Sequence, residues 1–252
     1  MDKKLSYWMQ NIELIFHTFR AYALDYGNPE KRRLFWDNDG RVLFIAHLDA
    51  VQTPKIIKRK GNRLTGAGFD DRLGCCIAHE LGLAYGADVL LTDLEESGRS
   101  TAKYHDLKDY NWIVEFDRAG NDVVLYDFVC PELEEALSKY WHIGFGAFSD
   151  ICFLKTEIGK FNLGIGYEHA HSETSYVDLS VLKQQLKLFE DFYRVNKNTK
   201  FRGYDYCSYG WENSECCECC GGIVDESVYG RSICGDCFNF LMDVYGQHVK
   251  NF

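Results

Sequence analysis

The chain has 252 residues, of which 26% are charged and 46% are hydrophobic, a composition typical of a folded, water-soluble domain. Its formal net charge of -10 argues against nonspecific binding to nucleic acid or to anionic membranes. No apolar run is long enough to span a bilayer, and the charged start from Met1 to Lys4 lacks the apolar core of a signal peptide. We therefore expect a cytoplasmic protein without a membrane partner.

The hydrophobic pattern predicts an α/β fold in which short apolar strands alternate with amphipathic helices. The predicted helices are 5–24, 73–84, 131–140 and 180–193. The predicted strands are 31–36, 41–46, 88–92, 111–116, 123–128 and 162–167, with a hairpin over 56–63. Residues 37–40 form a tight turn between the first two of these strands.

The strand over 41–46 delivers His47-Leu48-Asp49 at its carboxyl end. In open α/β sheets, sites form where the carboxyl ends of strands meet. An imidazole binds a metal when it is neutral and oriented, and a nearby carboxylate often orients it. On its own, the pair also fits a histidine with a purely structural role.

Other acidic and imidazole residues follow predicted strands or precede a helix. They are Asp70 and Asp71 before the helix at 73, Glu95 and Glu96 after strand 88–92, Asp117 after 111–116, and His169 and His171 after 162–167. The aspartates could be helix caps and the glutamates could lie in a solvated loop. Two adjacent glutamates at one site, however, repel unless a cation lies between them or one is protonated. Their repeated position at strand ends predicts a metal site at one edge of the sheet.

Taken together, these residues resemble the co-catalytic di-zinc exopeptidases, a superfamily of aminopeptidases, carboxypeptidases and N-acyl-amino-acid deacylases. The pattern reads His47-x-Asp49, Asp70 in a Gly/Ala-rich turn, Glu95-Glu96, Asp117 and His171-Ser172, over about residues 41–192. The resemblance implies the zinc-dependent exopeptidase fold, a mixed, mostly parallel central sheet flanked by helices, as a catalytic domain over residues 1–200.

The resemblance also implies a role for each residue. Asp70 would bridge two zinc ions, His47 and Asp117 would complete one site, Glu96 and His171 the other, Glu95 would be the general base, and Asp49 would orient His47. A zinc pair lowers the pKa of a shared water, whose proton a general base can accept. Ser149-Asp150 resembles a Ser-Asp pair that the aminopeptidase branch carries before its last ligand strand.

The chain departs from the family pattern at three points. Ser175 stands where the family usually has a glutamate, four residues after the final histidine. Both His169 and His171 are candidates for that histidine, and spacing to the last helix favours His171. The gaps of 23 positions from His47 to Asp70 and of 54 from Asp117 to His171 leave no room for an inserted domain. The resemblance is therefore closest to the compact aminopeptidase-like branch.

The last fifth of the chain, residues 201–252, is predicted to be a linker followed by a small zinc module. Two Cys-x2-Cys pairs separated by thirteen residues are typical of one structural zinc held by four thiolates. The preferred ligands are Cys217, Cys220, Cys234 and Cys237, with Cys216 and Cys219 as an overlapping alternative pair. Disulfides are the alternative chemistry. The module has few basic residues, which favours a protein partner over nucleic acid.

The sequence thus predicts a metal-dependent hydrolase of peptide or amide bonds, foremost an aminopeptidase, with two co-catalytic zinc ions and one structural zinc. Its substrate would be a peptide or an N-acyl-amino acid. The alternatives are an N-acyl-amino-acid deacylase, a cyclase-like relative, or an inactive metal-holding scaffold whose zinc module recruits a partner. Because a scaffold needs no general base, the presence of Glu95 weighs against the last of these.

Overall fold

The structure, a computed structural model, describes residues 2–146 and 148–205. Its helices are α1 (Asp2–Trp8), α2 (Ile12–Thr18), α3 (Phe69–Tyr85), α4 (Pro131–Ser138) and α5 (Leu179–Asn196). Its strands are β1 (Ala23–Leu24), β2 (Arg33–Trp36), β3 (Val42–His47), β4 (Lys55–Lys60), β5 (Arg63–Ala67), β6 (Asp88–Thr92), β7 (Trp112–Arg118), β8 (Val123–Val124), β9 (Phe128–Val129), β10 (Lys160–Gly164), β11 (Tyr167–Glu168), β12 (Ser175–Asp178) and β13 (Tyr204–Asp205). The predicted α/β fold class is confirmed.

The central sheet has seven strands in the order β1-β2-β6-β3-β7-β10-β8. The four middle strands, β6, β3, β7 and β10, run parallel to one another. The outer strands pair antiparallel, so the sheet is mixed, as the resemblance implies. Because the carboxyl ends of parallel strands lie at one edge, the segments after β3, β6 and β7 are neighbours.

A second sheet, of four antiparallel strands in the order β11-β12-β5-β4, lies beside the start of α3. The predicted hairpin over 56–63 is confirmed, because β4 and β5 pair antiparallel around Gly61 and Asn62. Strand β12 pairs with the other side of β5, with Ser175 opposite Gly66. This sheet positions the loop between β11 and β12, which carries His171.

The core is divided by the central sheet, as β3 illustrates. All six residues of β3 are buried, and alternate side chains point to opposite faces. Val42, Phe44 and Ala46 belong to a large apolar cluster to which all five helices contribute. Leu43 and Ile45 belong to a smaller cluster, closed by side chains from short turns. The strand is therefore uniformly apolar, as is typical of a parallel strand buried on both faces.

The prediction of one continuous amino-terminal helix over 5–24 is wrong. The segment forms α1, α2, a short turn and strand β1. The break occurs at Asn11, whose side chain accepts a hydrogen bond from the Glu13 backbone N–H at 2.8 Å. An Asn side chain that caps a new helix competes with continuation of the old one.

Two further strand predictions differ from the structure in detail. Strands β2 and β3 are not neighbours, because β6 lies between them. The strand predicted over 123–128 is split into β8 and β9, since Tyr126 and Asp127 have left-handed backbone angles with φ of 51° and 57°. The strand predicted over 162–167 ends in the central sheet at Gly164 and resumes as β11 in the second sheet.

The segment that follows α5 packs on the domain as far as the structure describes it. The Phe201 N–H donates to the Asn111 carbonyl at 3.0 Å, and Tyr204 pairs with Val129 in a two-stranded sheet. The cysteines predicted to hold a structural zinc lie outside the described residues. Within them, we find no helix that is both long and apolar enough to cross a membrane.

Candidate metal centre

Three neighbouring parallel strands bring the predicted site residues together. His47 is the last residue of β3, Asp117 lies near the end of β7, and Glu95 follows β6 by three positions. Asp70 reaches the same place from the start of α3. The convergence predicted from strand ends is therefore present for these groups. It arises because β6, β3 and β7 are adjacent and parallel.

His47 lies at the centre of the group and is completely buried. Its Nε2 atom is 3.3 Å from Asp70 Oδ1, 3.6 Å from Asp117 Oδ1 and 3.7 Å from Glu95 Oε2. Within the described residues this buried Nε2 has no hydrogen-bond partner. A ring nitrogen surrounded by carboxylate oxygens but unbonded to them is arranged as a metal ligand would be.

Asp70 lies between the two predicted histidines. Its Oδ1 faces His47, and its Oδ2 is 3.2 Å from Nε2 of His171. The same His171 nitrogen is 3.0 Å from Glu96 Oε2. The carboxylate of Asp70 is thus shared by two groups of potential ligands, one on each of its oxygens.

His169 takes a different position from His171. Its ring packs edge-on against Tyr176, with ring centroids 5.5 Å apart. The backbone does not stay extended after β11, since His169 and His171 have φ angles of 57° and 59°. The two histidines therefore do not alternate as on a strand, and the one facing Asp70 and Glu96 is His171.

Asp49 connects the His47 segment to the glutamate pair. Its Oδ1 accepts a hydrogen bond from the Glu95 N–H at 3.1 Å, and its Oδ2 accepts one from the Glu96 N–H at 3.0 Å. Nδ1 of His47 lies 3.0 Å from the Asp49 backbone carbonyl and 3.4 Å from Oδ1 of the Asp49 side chain. Despite burial, the hydrogen bonds to His47 and to these amides hold the pKa of Asp49 below its ordinary value. The ionised carboxylate can therefore orient the imidazole and fix both glutamates at once.

The sequence suggested for Asp71 only the role of a helix cap, but Asp71 is completely buried beside the site. Its Oδ2 accepts a hydrogen bond from the His47 backbone N–H at 3.2 Å, and its Oδ1 accepts one from the Gly74 N–H at 3.0 Å. Asp71 thus ties the end of β3 to the first turn of α3. The two adjacent aspartates were the available signal, but only a structure assigns their separate contacts.

Asp117 is surrounded by two residues that the sequence did not single out, Tyr167 and Asn162, and by Ser149. The Tyr167 hydroxyl donates to Asp117 Oδ1 at 3.2 Å. The Asn162 side chain accepts from the Asp117 N–H at 3.0 Å and donates to the Asp117 carbonyl at 2.8 Å. The Ser149 hydroxyl, part of the predicted Ser-Asp pair, lies 3.4 Å from Asp117 Oδ2. Together they hold Asp117 toward His47.

A buried carboxyl pair supports the loop that carries Ser149. Glu115, completely buried in the middle of β7, accepts hydrogen bonds from the Asp150 and Ile151 N–H groups at 3.2 and 3.4 Å. The Thr92 hydroxyl in turn donates to Asp150. The sequence signal for Glu115 was a single charged residue inside an otherwise apolar strand.

Electrostatics in the site reflect crowded negative charge. Burial raises the pKa of Glu95 to about 8. Burial and the neighbouring Asp70 raise the pKa of Asp117 to about 7. The hydrogen bond with Asp70 raises the pKa of His171 to about 9. Each shift is in the direction that nearby carboxylates produce when no cation compensates them.

The residues fit a divalent metal. Two sets of three side chains have potential ligand atoms that all lie within 4.8 Å of one another: His47, Asp70 and Glu96, and His47, Asp71 and Asp117. Buried atoms of His47 and Glu96 also lack hydrogen-bond partners within the described residues. Carboxylates in such numbers repel one another or must be protonated unless cations lie among them. A donor set of carboxylates and imidazoles suits zinc.

A cavity of about 430 Å³ opens onto the site. It is lined by the four carboxylates Asp70, Glu95, Glu96 and Asp117, by His171 and Tyr167, and also by Arg118, Tyr126, Gly146 and Phe148. This volume lies in the range of small-molecule binding sites. A substrate could therefore reach the oxygens that face His47 and His171.

The domain that carries these residues is similar to several solved peptidase structures. A tripeptidase from Staphylococcus aureus aligns over 79% of this chain and 99% of its own, with a TM-score of 0.56 and 11% identity. The fold is that of solved peptidases. An aminopeptidase from the archaeon Desulfurococcus kamchatkensis aligns over 75% of this chain and 89% of its own, with a TM-score of 0.54 and 13% identity.

The TET1 peptidase of Pyrococcus horikoshii, which assembles into a tetrahedron or an octahedral shell, gives a similar result. It aligns over 75% of this chain and 97% of its own, with a TM-score of 0.52 and 14% identity. In sequence, no family model and no curated protein matches the chain. At these identities the likeness establishes a shared peptidase fold, and the chemistry must be argued from the site itself.

Proposed function

We propose that the chain is a zinc-dependent aminopeptidase that hydrolyses the peptide or amide bond next to a free amino terminus. The observation that carries the proposal is the position of Asp70, whose two oxygens face His47 and His171 at 3.3 and 3.2 Å. Each histidine is accompanied by a second carboxylate, Asp117 on one side and Glu96 on the other. A carboxylate shared between two such groups is the arrangement required to hold two metal ions side by side.

The proposed ligand roles rest on these contacts and leave out Asp71 of the second close set, because both of its oxygens already accept backbone hydrogen bonds. His47, Asp70 and Asp117 would hold one ion, and Asp70, Glu96 and His171 would hold the other. When bound, a zinc pair lowers the pKa of a water molecule and polarises the carbonyl under attack. Tyr167 and Ser149 keep Asp117 directed at His47. Asp49 keeps Glu96 in place by accepting a hydrogen bond from the Glu96 backbone N–H.

Glu95 is the proposed general base. Its Oε2 lies at the cavity wall, 3.7 Å from His47 Nε2, and its backbone is anchored by Asp49. The carboxylate would accept a proton from the attacking water and deliver it to the nitrogen of the leaving amine. Asp49, through contacts with both His47 and the glutamate pair, sets the distance over which that transfer occurs.

The proposal is tested by hydrolysis of matched substrates with the zinc-loaded full chain. An aminoacyl amide and its N-acetylated counterpart differ only in the free amine, so an aminopeptidase cleaves the first and spares the second. Cleavage of the N-acyl bond instead would favour the deacylase alternative. Absence of any turnover would favour the cyclase-like or the inactive metal-holding alternative.

The same assay tests the role of Glu95. Glu95→Gln should lower kcat about 100- to 10,000-fold, because an amide cannot accept the proton of water. Its zinc content should remain that of the wild type, as measured by elemental analysis. Glu173→Gln, a change at an exposed glutamate in the β11–β12 loop, is the matched control and should keep full activity. Wild-type turnover by Glu95→Gln would refute the assignment.

We further propose that Cys217, Cys220, Cys234 and Cys237 hold one structural zinc in a module that contacts a protein partner. The support is the spacing of the two Cys-x2-Cys pairs. A zinc with four thiolate ligands is coordinatively closed, so this ion would have no part in hydrolysis.

A further inference from the structure

Arg118 is the one arginine or lysine among the described residues that line the cavity. It directly follows Asp117 at the end of β7, so its backbone position is fixed by the same strand that carries a proposed metal ligand. The proposed hydrolysis gives Arg118 no role. Its position at the wall of a cavity rich in carboxylates is therefore not accounted for by the proposed hydrolysis.

The guanidinium of Arg118 is held rigidly by the protein. Its Nε donates to Asp122 Oδ1 at 2.6 Å, and its Nη2 donates to Asp122 Oδ2 at 2.8 Å and to the Phe145 carbonyl at 3.1 Å. An arginine side chain is charged at neutral pH, so the clamped group is a cation. These contacts use three of the five N–H groups that an arginine can donate.

The remaining two N–H groups are on Nη1, and they have no hydrogen-bond partner in the described part of the chain. Nη1 lies near Gly146 and Tyr126, which both line the cavity. A Cβ atom at Gly146 would be 3.4 Å from Nη1 and 2.8 Å from the Tyr126 ring. A side chain at position 146 would crowd the Tyr126 ring and contact Nη1, so the glycine keeps the space beside this donor free of protein atoms.

Gly144 shows that the loop is built around the Arg118–Asp122 pair. A Cβ atom there would lie 2.0 Å from Asp122 Oδ2 and 3.1 Å from Arg118 Nη2. Any larger residue would therefore displace the pair. Two glycines in one loop, one beside each terminal nitrogen of Arg118, allow the guanidinium to be clamped on one side and free on the other.

We propose that Nη1 of Arg118 binds a carboxylate of the substrate, so that the enzyme prefers peptides that carry a negative charge near the scissile bond. The inference rests on the proposed peptidase function and names its substrate class. Arginine donors bind carboxylates well because the hydrogen bond is charge-assisted. The other charged groups of the cavity wall are four carboxylates and His171, to which the proposed function already assigns the metal ligands and the general base.

Two substrate carboxylates have the required chemistry. One is the side chain of an acidic first residue, and the other is the free carboxyl terminus of a dipeptide or tripeptide. A cavity of about 430 Å³ accommodates either kind of small ligand. Two matched substrate pairs separate them: a glutamyl against a glutaminyl anilide, and a dipeptide acid against its carboxy-terminal amide.

The test compares kcat/KM within each pair for wild type, Arg118→Gln and Arg118→Lys. Wild type should favour the charged member of one pair about 10- to 100-fold, the contribution of a hydrogen bond to a charged group. Arg118→Gln should remove most of that preference, chiefly through KM. Arg118→Lys should reduce it, because a single ammonium cannot hold Asp122 and the substrate together. If the role of Arg118 were purely structural, its substitution would instead lower kcat/KM equally for both members of a pair.

A second readout is independent of turnover. Equilibrium binding of the same pairs to the Glu95→Gln protein should show the same preference, and Arg118→Gln in that background should abolish it. Arg194→Gln, a change at an exposed arginine on α5, is the matched control. If Arg118→Gln abolishes the preference within the anilide pair, Arg118 binds the acidic side chain of the first residue. If it abolishes the preference within the dipeptide pair, Arg118 binds the carboxyl terminus.

The outcomes that overturn the inference differ from those that overturn the proposed function. Equal kcat/KM for the charged and neutral members in wild type, or a preference that survives Arg118→Gln, contradicts the role of Arg118 alone. Failure of wild type to cleave either pair contradicts the peptidase function. In that case the binding measurement alone decides on Arg118. Equal binding of the charged and neutral members by the Glu95→Gln protein would contradict its proposed role.

Discussion

At the scale of single residues, Asp49 is the side chain on which three parts of the site depend. Both of its oxygens accept hydrogen bonds from the glutamate pair, and one of them also lies near the His47 imidazole. The sequence-based role of Asp49, orienting His47, accounts for one of these contacts. The other two were unforeseeable, because they join the segments after β3 and β6, and only their adjacency in the sheet brings them together.

We predict that Asp49→Asn weakens metal binding about 10- to 100-fold, the usual effect of removing a partner that orients a ligand. The amide keeps one acceptor oxygen but loses the charge and one of the two acceptors for the Glu95 and Glu96 N–H groups. Competition with a chelator of known zinc affinity measures the change. An affinity equal to that of wild type would show that Asp49 does not orient the ligands.

Some residues of the site could be named from the sequence and others could not. His47, Asp70, Glu95, Glu96, Asp117 and His171 were all named in advance and lie together. Tyr167 and Asn162 were not named, because neither a hydroxyl that bonds a carboxylate nor an amide that bonds the backbone beside it has a sequence pattern of its own. Glu115 could have been noticed as a charge within an apolar strand, yet its partners, the N–H groups of Asp150 and Ile151, lie in a distant loop.

At the scale of elements, the close approach of α3 to β7 decides where Asp70 lies. Gly74, in the first turns of α3, has space for no side chain, because a Cβ atom would be 2.0 Å from the Phe116 carbonyl and 2.2 Å from Asp71 Oδ1. The helix can therefore start against the sheet, which brings Asp70 to the ends of β3 and β7.

Gly74→Ala should accordingly destabilise the protein by about 3 kcal/mol, since neither the strand backbone nor the buried Asp71 can move away easily. Gly27→Ala is the matched control. Gly27 is exposed, and nothing lies within 4 Å of its added Cβ, so the expected change is within about 0.5 kcal/mol. Urea unfolding of both variants gives the comparison. Equal stability of the two would contradict the close packing at Gly74.

Among the elements, those with strong local patterns were predictable and those set by distant contacts were not. Strand β6 matches the predicted range 88–92. A short run of apolar residues bounded by acidic ones is typical of a buried strand. The order of strands could not be read from the sequence. Strand β6 lies between β2 and β3, although β2 and β3 are consecutive and joined by a short turn.

The second sheet is a further case in which distant contacts decided the outcome. The segment 162–167 was expected to deliver its histidines at the edge of the central sheet. Instead Gly166, with φ of 78°, turns the chain after β10, and β11 joins β12 beside β5. His171 thus approaches Asp70 from a different layer than His47. The sequence favoured the histidine that faces Asp70 in the structure, but it did not indicate the route by which that residue arrives.

At the scale of the whole molecule, the chain combines a peptidase-like domain with a cysteine-rich end that lies outside the described residues. The two proposed kinds of zinc differ in ligand chemistry, since one uses imidazole and carboxylate and the other thiolate alone. They should therefore respond independently to substitution.

We expect Cys220→Ser to remove one equivalent of zinc while hydrolysis by the peptidase-like domain continues. Cys219→Ser is the matched control, because Cys219 belongs to the overlapping pair that we did not prefer, and it should keep the full zinc content. Elemental analysis together with a peptidase assay measures both effects. The reverse ranking would move the ligand assignment to Cys216 and Cys219, and loss of hydrolysis in Cys220→Ser would show that the module contributes to the site.

The most direct test of the account is the zinc content of the full chain compared with that of Asp70→Ala. Because each oxygen of Asp70 faces a different histidine, this one substitution should remove two equivalents of zinc and abolish hydrolysis. The thiolate-held zinc should remain, which provides an internal reference for the amount of protein analysed. An unchanged zinc content in Asp70→Ala, or hydrolysis at the wild-type rate, would contradict a shared metal pair at this site.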